Sequence, residues 1–280
     1  MLQKIIRLAD PEALAVEAAR LISAQAQDAC RQRGAAHLAL SGGSTPRRTY
    51  ELLGEPDGSA PSAPISGTVE IWFADERCVP PDDPDSNWLL VAQTLLKAPS
   101  SSRLRAGSLD LLVHRIEGEL GPEEGAARYE RLLRGRLGVN ALASPPPTQA
   151  EHLRESSAAS SSQAVGGNLP VLDLVVLGIG PEGHIASLFP GSGALHAPAQ
   201  QLCLPIDDSP KPPPERVTLS LPVLRAARSC LLLATGEEKA DAIRGAIGPR
   251  TESLPASLLR PQTLTIIVDE AAAARLEPDG

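Results

Sequence analysis

Short apolar runs of strand length alternate with helix-length segments along this chain of 280 residues. The runs lie at 36–43, 68–77, 171–178, 229–234 and 263–268, and several of them are almost continuously apolar. Parallel strands are covered on both faces and show this continuous pattern, whereas half-exposed strands alternate apolar and polar residues. The alternation therefore predicts a single α/β domain: a Rossmann-like, mostly parallel sheet with helices on both faces.

Helix signals occur between these runs. Asp10 and Pro11 are a good N-cap and first helical residue, and Gly34 is a good stop, which predicts a helix over 10–33. A later helix is expected to be capped by Asp85 or Ser86. In all, helices are expected at 10–33, 46–53, 88–97, 122–137, 237–246 and 269–276, and further short strands at 109–116, 201–206 and 215–220.

One segment differs in character from the rest of the chain. Residues 141–169 are dominated by Ser, Ala, Pro and Gly and contain no apolar periodicity, which predicts a flexible low-complexity insertion. It could separate two domains. The strand pattern resumes directly after it, however, so we expect a surface insertion within one domain spanning 1–280.

Composition narrows the class of partner. The net charge is −8, with acidic and basic residues interleaved, which argues against nucleic acid or an anionic membrane. The N-terminus lacks a secretory signal and no run approaches the roughly 18 apolar residues of a membrane span, so a cytoplasmic protein is expected. Scattered cysteines without a CxxC pair favour reduced thiols over zinc ligands or disulfides. A monomer or a small homo-oligomer is compatible with all of this.

The first polar cluster that follows an apolar run is 41-SGGSTP-46. Gly42 and Gly43 lead into Ser44, Thr45 and an expected helix start, where free backbone N–H groups and the helix dipole favour an anion. The Walker A pattern is absent, so a phosphate without a nucleotide fits best. An ordinary tight turn is the alternative interpretation. No GxSxG motif surrounds these serines, which argues against a serine nucleophile.

The second cluster is Asp75, Glu76 and Arg77, directly after an apolar strand. Three charges in a row cannot all be buried without partners, so we expect them at the mouth of a crevice. If the strand continues, Asp75 and Arg77 point one way and Glu76 the other. Simple solvation is the alternative. Cys78 beside Arg77 as an activated thiol is only weakly supported.

The third cluster is the glycine motif at 178–183, followed at once by His184. A dinucleotide fingerprint needs a full helix and then a strand with an acidic residue about 20 positions on. Here Pro190-Gly191 intervenes and the next acidic residue is Asp207, so no nucleotide cofactor is expected. The glycines instead favour a tight turn presenting His184 at a helix N-terminus as a general base. A histidine that merely fills a turn is the alternative.

Two further cations are candidates for anion binding. Arg216 follows a proline-rich loop, and Lys239 lies in the first turn of an expected helix. The helix dipole disfavours a cation at that position, and a bound phosphate would offset the penalty. Plain surface charges are the alternative for both.

Taken together, the sequence blocks resemble the glucosamine-6-phosphate isomerase/6-phosphogluconolactonase family. The resemblance implies a Rossmann-like domain without metal or organic cofactor. It also implies hydrolysis of 6-phospho-D-glucono-1,5-lactone, a phosphorylated lactone, to 6-phospho-D-gluconate in the oxidative pentose phosphate pathway. The blocks that carry it occur in the family's order at 38–46, 72–87, 177–191, 216–220 and 236–240.

Within that family the segment after the shared histidine distinguishes two branches. The deaminase branch typically reads GHIAFNEPG, with a glutamate that assists opening of the sugar ring. Here residues 183–191 read GHIASLFPG. The ring-opening glutamate is therefore missing, and the segment resembles that of lactonases. Lactonases usually have Asp-Gly-His where this chain has Glu182-Gly183-His184, which leaves open whether Glu182 orients the histidine or a water.

The resemblance and the clusters together suggest a mechanism. The phosphate is expected to dock on the backbone of 42–45, helped by Arg216 and Lys239. His184 would then activate water for attack at C1, with Arg77 as the donor that stabilises the oxyanion or fixes the substrate. 

Asp75 would hold Arg77 or a ring hydroxyl, and Glu76 and Glu182 would give support. The alternatives are a sugar-phosphate isomerase or deaminase, a non-catalytic sugar-phosphate sensor, and a serine or cysteine esterase.

Overall fold

The computed structural model describes residues 4–54, 65–96, 109–138, 169–259 and 264–277. Apart from its last residue, the insertion predicted at 141–169 lies outside this part of the chain. The strands are β1 (Lys4–Leu8), β2 (Ala35–Leu40), β3 (Gly67–Phe73), β4 (Asp75–Arg77), β5 (Leu109–Val113), β6 (Leu174–Gly178), β7 (Cys203–Ile206), β8 (Arg216–Leu219), β9 (Ser229–Ala234) and β10 (Leu264–Asp269). The α-helices are α1 (Pro11–Arg33), α2 (Ser44–Gly54), α3 (Asn87–Thr94), α4 (Pro122–Arg136), α5 (Leu221–Ala226) and α6 (Ala240–Ala246).

The main layer is a seven-stranded sheet in the order β1-β10-β9-β6-β2-β3-β5. Every pairing in it is parallel, which confirms the predicted fold class. From β2 the chain proceeds to β3 and β5 on one side, and from β6 to β9 and β10 on the other. Because crossovers are right-handed, this reversal distributes the helices over both faces. The reversal also opens a crevice beyond the carboxyl ends of β2 and β6.

The predicted strand 68–77 is divided between two sheets. Ala74 still donates to the Leu40 carbonyl of the main sheet, but its own carbonyl accepts from Leu219. The next three residues form β4, which pairs antiparallel with β8 in a three-stranded sheet of order β4-β8-β7. This change of sheet brings Asp75 and Arg77 beside β8 at the crevice.

Helix boundaries follow the local capping chemistry. Asp10 Oδ1 accepts from the Ala13 N–H at 2.8 Å, and Gly34 ends α1 with a φ of 78°. Of the two caps proposed for α3, Ser86 is the one whose side chain accepts from the Leu89 N–H. The small apolar face of α1 then lies buried against the sheet.

One predicted helix was wrong, and several predicted boundaries differ by a few residues. The helix predicted over 269–276 is a series of turns, because the Asp269 carboxylate engages the N–H groups of Ala272 and Gly236. The helix predicted at 46–53 begins two residues earlier, at Ser44. β1, an edge strand that the apolar pattern did not reveal, pairs with β10.

Among the described helices, none combines the length and apolar character needed to cross a membrane.

Candidate active site

A cleft lies at the crevice beyond β2 and β6. The structure brings together in it residues that are distant in the sequence, including nearly all of the predicted site residues. Glu76 and Glu182 are not among the lining residues; Glu76 is buried, and Glu182 contacts His184 and Lys211 of the lining. The described residues that line the cleft are Ser41, Gly42, Gly43, Ser44, Thr45, Pro46, Asp75, Arg77, Asn87, Gly178, Ile179, Gly180, His184, Ala186, Lys211, Arg216 and Lys239.

One wall of the cleft is the turn between β2 and α2. Gly43 has a φ of 107°, a backbone conformation that favours glycine, and α2 starts at the next residue. A side chain at Gly42 would place its Cβ 1.7 Å from Asn87 Oδ1. Glycine therefore lets the turn approach α3 closely, while the N–H groups of the first turn of α2 are free of intrahelical partners.

The cleft also contains a fixed carboxylate, next to the turn between β2 and α2. Asp75 is buried, its Oδ2 accepts from Ser187 Oγ at 2.8 Å, and its Oδ1 accepts from Asn87 Nδ2 at 3.3 Å. Asn87 also donates to the Asp75 carbonyl at 2.9 Å. The sequence analysis missed both of these donors, because a lone Asn or Ser carries no signal until the fold brings it to a partner.

Glu76, unlike Asp75, binds backbone N–H groups at the start of α3. Its carboxylate accepts from the N–H groups of Asn87 and Trp88, both at 2.7 Å, and of Arg77 at 2.8 Å. Burial raises its pKa to about 7, although these hydrogen bonds favour the charged form. Glu76 thus closes the N-terminus of α3 and supports the cleft from behind.

Arg77 and Cys78 follow Glu76 in the chain, and only Arg77 lines the cleft in the described structure. Arg77 lines it and donates from Nη1 to the carbonyl of Asp85, which holds the guanidinium in place. Burial raises the pKa of the Cys78 thiol to about 12. An activated thiolate is therefore disfavoured at Cys78.

The glycine motif forms a closed loop around the histidine. The His184 carbonyl accepts from the Gly180 N–H at 3.0 Å, and a Cβ on Gly180 would lie 1.9 Å from His184 Nδ1. Gly183 has a φ of 88°. The prediction that His184 stands at a helix N-terminus was wrong: residues 179–192 contain no helix. The loop instead closes through a β-bridge between Ile185 and Leu188.

His184, Glu182 and Lys211 form a row of three side chains in contact through the Glu182 carboxylate. His184 Nδ1 lies 3.0 Å from Glu182 Oε1, and Lys211 Nζ lies 2.8 Å from the same oxygen. Burial lowers the pKa of His184. Burial acts to raise the pKa of Glu182, but the hydrogen bond from Lys211 and the nearby charges lower it overall. A charged carboxylate only accepts, so Nδ1 carries the proton and Nε2 is the free base.

Lys211 was not singled out from the sequence. It lies in the same proline-rich loop that leads to Arg216, and this proximity to a candidate cation was the only available signal. Both residues line the cleft.

Arg216 is a cation held by carbonyl groups. Only 4% of the residue is exposed, and it donates to the carbonyls of Lys211, Pro212 and Pro213 at 3.0, 3.2 and 2.9 Å. Burial lowers its pKa, and no carboxylate in the described part of the chain forms an ion pair with it. A buried, unpaired cation beside a cleft is suited to an anionic ligand.

Lys239 completes the basic side of the cleft. It lies in the turn Glu237–Lys239 at the start of α6 and is half-buried. Burial lowers its pKa, with the neighbouring Lys211 acting in the same direction. Among the described residues no group of three or more His, Cys, Asp or Glu side chains is placed to hold a metal ion.

Comparison with known proteins identifies the family of this chain. The family model of glucosamine-6-phosphate isomerases/6-phosphogluconolactonase matches residues 9–268. The chain is 36% identical over 270 residues to 6-phosphogluconolactonase of Rattus norvegicus, covering 95% of this chain and 91% of that one. It is 37% identical over 243 residues to 6-phosphogluconolactonase of Homo sapiens, covering 85% and 80%.

Solved structures give the same result. The fold resembles that of 6-phosphogluconolactonase from Trypanosoma cruzi with a TM-score of 0.74 and 27% identity, covering 99% of this chain and 97% of that one. The chain is therefore an enzyme of the hydrolase class, and it belongs to the glucosamine-6-phosphate isomerase/6-phosphogluconolactonase family.

Proposed function

We propose that this enzyme hydrolyses 6-phospho-D-glucono-1,5-lactone to 6-phospho-D-gluconate, the lactonase step of the oxidative pentose phosphate pathway. One observation carries the proposal. His184, with its Nδ1 engaged by Glu182, lines the same cleft as the N-terminus of α2 and the buried Arg216. A general base and an anion site therefore lie within reach of one small molecule.

The phosphate end of the substrate is assigned to the basic side of the cleft. Its oxygens would accept from the first N–H groups of α2, at Gly43–Thr45, and from Arg216 and Lys239. The position of Arg216 supports this assignment, because a dianion would compensate a buried cation that forms no ion pair with a carboxylate in the described structure, although Asp75 acts on it from nearby.

The lactone end is assigned to His184. Its Nε2 takes a proton from water while the water oxygen attacks C1, and the carbonyl electrons move to the carbonyl oxygen. Arg77 stabilises the resulting oxyanion. When the oxyanion collapses, the bond between C1 and the ring oxygen breaks and His184 returns its proton to that oxygen. The products are a carboxylic acid, which ionises, and a free hydroxyl at C5.

Asp75 serves as a fixed acceptor for a substrate hydroxyl. Its carboxylate is held by Ser187 and Asn87 and lines the cleft. No hydrogen bond or ion pair joins it to Arg77 in the described structure, so the hydroxyl is favoured over the alternative that Asp75 holds Arg77. Because the lactone is intrinsically reactive, positioning plus one base is sufficient chemistry.

The alternatives have less support. A deaminase needs the ring-opening acid that the segment 183–191 lacks. A cysteine esterase would need a thiolate, and burial raises the pKa of Cys78 to about 12. A non-catalytic sensor would have no use for a base whose tautomer is set by a carboxylate.

The test uses freshly generated 6-phosphogluconolactone with the spontaneous rate subtracted. Acceleration by the wild-type enzyme supports the proposal. Release of ammonia from glucosamine 6-phosphate would support the deaminase instead. Binding of the lactone or of 6-phosphogluconate without any acceleration would support the sensor.

A further inference from the structure

Phe189 lies behind the cleft between two of its functional groups. It is one of only two phenylalanines in the chain, and 3% of it is exposed. Its ring is stacked on the imidazole of His184, with centroids 4.6 Å apart and an angle of 27° between the planes. The guanidinium carbon of Arg216 lies 5.6 Å from the centroid of the same ring. One aromatic ring thus touches the candidate base and the candidate phosphate cation.

We propose that Phe189 is a positioning residue that fixes His184 and Arg216 relative to one another, and so couples the phosphate site to the base. The proposal concerns the same site as the proposed function and rests on it for its catalytic consequence. Its structural content, one ring supporting both groups, can be tested without any lactone.

The imidazole needs a second support. Glu182 engages His184 at Nδ1 only, and a contact at one edge leaves the ring free to tilt about that contact. A stacked aromatic ring restricts the tilt and keeps water from that face. The direction of Nε2 is therefore set jointly by Glu182 at the edge and Phe189 at the face.

The guanidinium is supported in a similar way. Carbonyl groups of the loop hold Arg216 at Nε and Nη2. The Phe189 ring gives a buried cation an attractive aromatic surface without a competing negative charge. A carboxylate in that place would neutralise Arg216 and weaken its attraction for phosphate, whereas a phenyl ring leaves the full charge available.

The experiment compares non-aromatic and aromatic replacements. Phe189→Leu and Phe189→Met keep an apolar side chain but remove the ring, and Phe189→Tyr keeps the ring. Leu133→Ala, in α4 and fully buried, is the control for general loss of core packing. Thermal unfolding of each variant establishes that it is folded.

Two readouts do not depend on catalysis. The first is the pKa of His184 from NMR titration of its ring protons, with the signal assigned by its loss in His184→Gln. The charged groups that act on this imidazole are Glu182, Lys211 and Asp75, and the substitutions leave all three in place. The second is the affinity for inorganic phosphate, measured by calorimetry.

We expect Phe189→Leu and Phe189→Met to raise the pKa of His184 toward its ordinary value, because water gains access to the ring. We also expect phosphate binding to weaken severalfold, and kcat/KM to fall by about tenfold or more, through both kcat and KM. Phe189→Tyr should keep the pKa of His184, the phosphate affinity and kcat/KM close to their wild-type values. Leu133→Ala should lower the unfolding temperature and leave the pKa and the phosphate affinity unchanged.

The proposal is overturned if the folded non-aromatic variants keep both the wild-type pKa of His184 and the wild-type phosphate affinity. It is also overturned if Leu133→Ala shifts them equally. If the wild-type enzyme does not accelerate lactone hydrolysis, the proposed function fails, and the pKa of His184 and the phosphate affinity still decide the role of Phe189.

Discussion

The Nδ1 atom of His184 lies 3.0 Å from Glu182 Oε1, and Lys211 Nζ lies 2.8 Å from that same oxygen. One carboxylate oxygen is therefore shared by the base and a lysine. Burial lowers the pKa of the imidazole most, the Glu182 carboxylate raises it, and Lys211 lowers it. The basicity of His184 is thus set by three opposing contributions, each of which a substitution can change separately.

Removing the imidazole should abolish most of the catalysis. We expect His184→Ala to lower kcat roughly 10²–10⁴-fold, the usual contribution of a general base, with a smaller effect on KM. Initial rates on fresh lactone, corrected for spontaneous hydrolysis, measure this. A variant with the wild-type rate would show that water is activated by another group.

The pH profile should show the lowered pKa of His184. In the proposed mechanism the neutral imidazole is the active form, so activity is expected to fall on the acid side with a midpoint below the ordinary histidine value of about 6.5. Lys211→Met removes a positive charge that disfavours protonation, so the midpoint should move to higher pH. A profile of kcat/KM against pH for both enzymes measures the shift, and a midpoint that moves down would contradict the assignment.

Gly180 should be essential for the position of the base rather than for folding. A methyl group there would lie 1.9 Å from His184 Nδ1, so Gly180→Ala must displace the imidazole. We expect a loss of kcat of about tenfold or more, with the unfolding temperature nearly unchanged. Gly135→Ala, on α4 with nothing within 4 Å of the added Cβ, is the matched control and should keep full activity. Equal activities of the two variants would count against the proposed role of His184.

Arg216→Lys should act on binding. A lysine retains the charge but cannot reproduce the planar donor set that spans three loop carbonyls. Losing a charge-assisted hydrogen bond costs about 1.5–3 kcal/mol, so we expect KM to rise roughly 10–100-fold with kcat less affected. Arg131→Lys, exposed on α4, should change neither constant. An unchanged KM in Arg216→Lys would move the phosphate away from this residue.

Glu76→Ala should act on stability. The N–H groups of Asn87 and Trp88 would lose their shared acceptor. Each buried unsatisfied group lowers the free energy of unfolding by about 1–3 kcal/mol. Since burial raises the pKa of Glu76 to about 7, its linkage contribution to stability is fully present below about pH 4.5 and declines as pH rises through 7. Chemical unfolding at pH 5 and pH 8 should therefore give a larger loss at pH 5. A direct role in binding would instead appear as a changed KM in the folded variant.

Several features of the molecule were predictable, because they follow from neighbouring residues or from general rules of parallel sheets. The caps of α1 at Asp10 and Gly34 follow from local hydrogen bonding and backbone sterics. The parallel sheet follows from continuous apolar runs separated by helices. The clustering of Gly42–Thr45 with His184 follows from a general rule, since the carboxyl ends of parallel strands meet at one edge.

Other features were not predictable, because they depend on contacts between distant segments. The break of the strand at Ala74 is made by pairing with β8, more than a hundred residues away in the chain, and no local signal marks it. The helix expected after Gly183 is replaced by a loop that distant segments hold: the Ala256 N–H donates to the Gly183 carbonyl, and Ser187 donates to Thr218 and Asp75. Lys211 acquires its partner Glu182 only through the folding of the proline-rich loop.

The amino-acid sequence by itself determined the α/β class, the edge of the sheet where the candidate site lies, and most of the residue types in the cleft. These features follow from periodicity and glycine placement, which act over short distances. Only the tertiary structure decided which carboxylate contacts His184, which carboxylate caps α3, and which buried cation forms no ion pair with a carboxylate. These properties are set by distances of about 3 Å between segments that are far apart in the chain, and burial then makes each such contact strong.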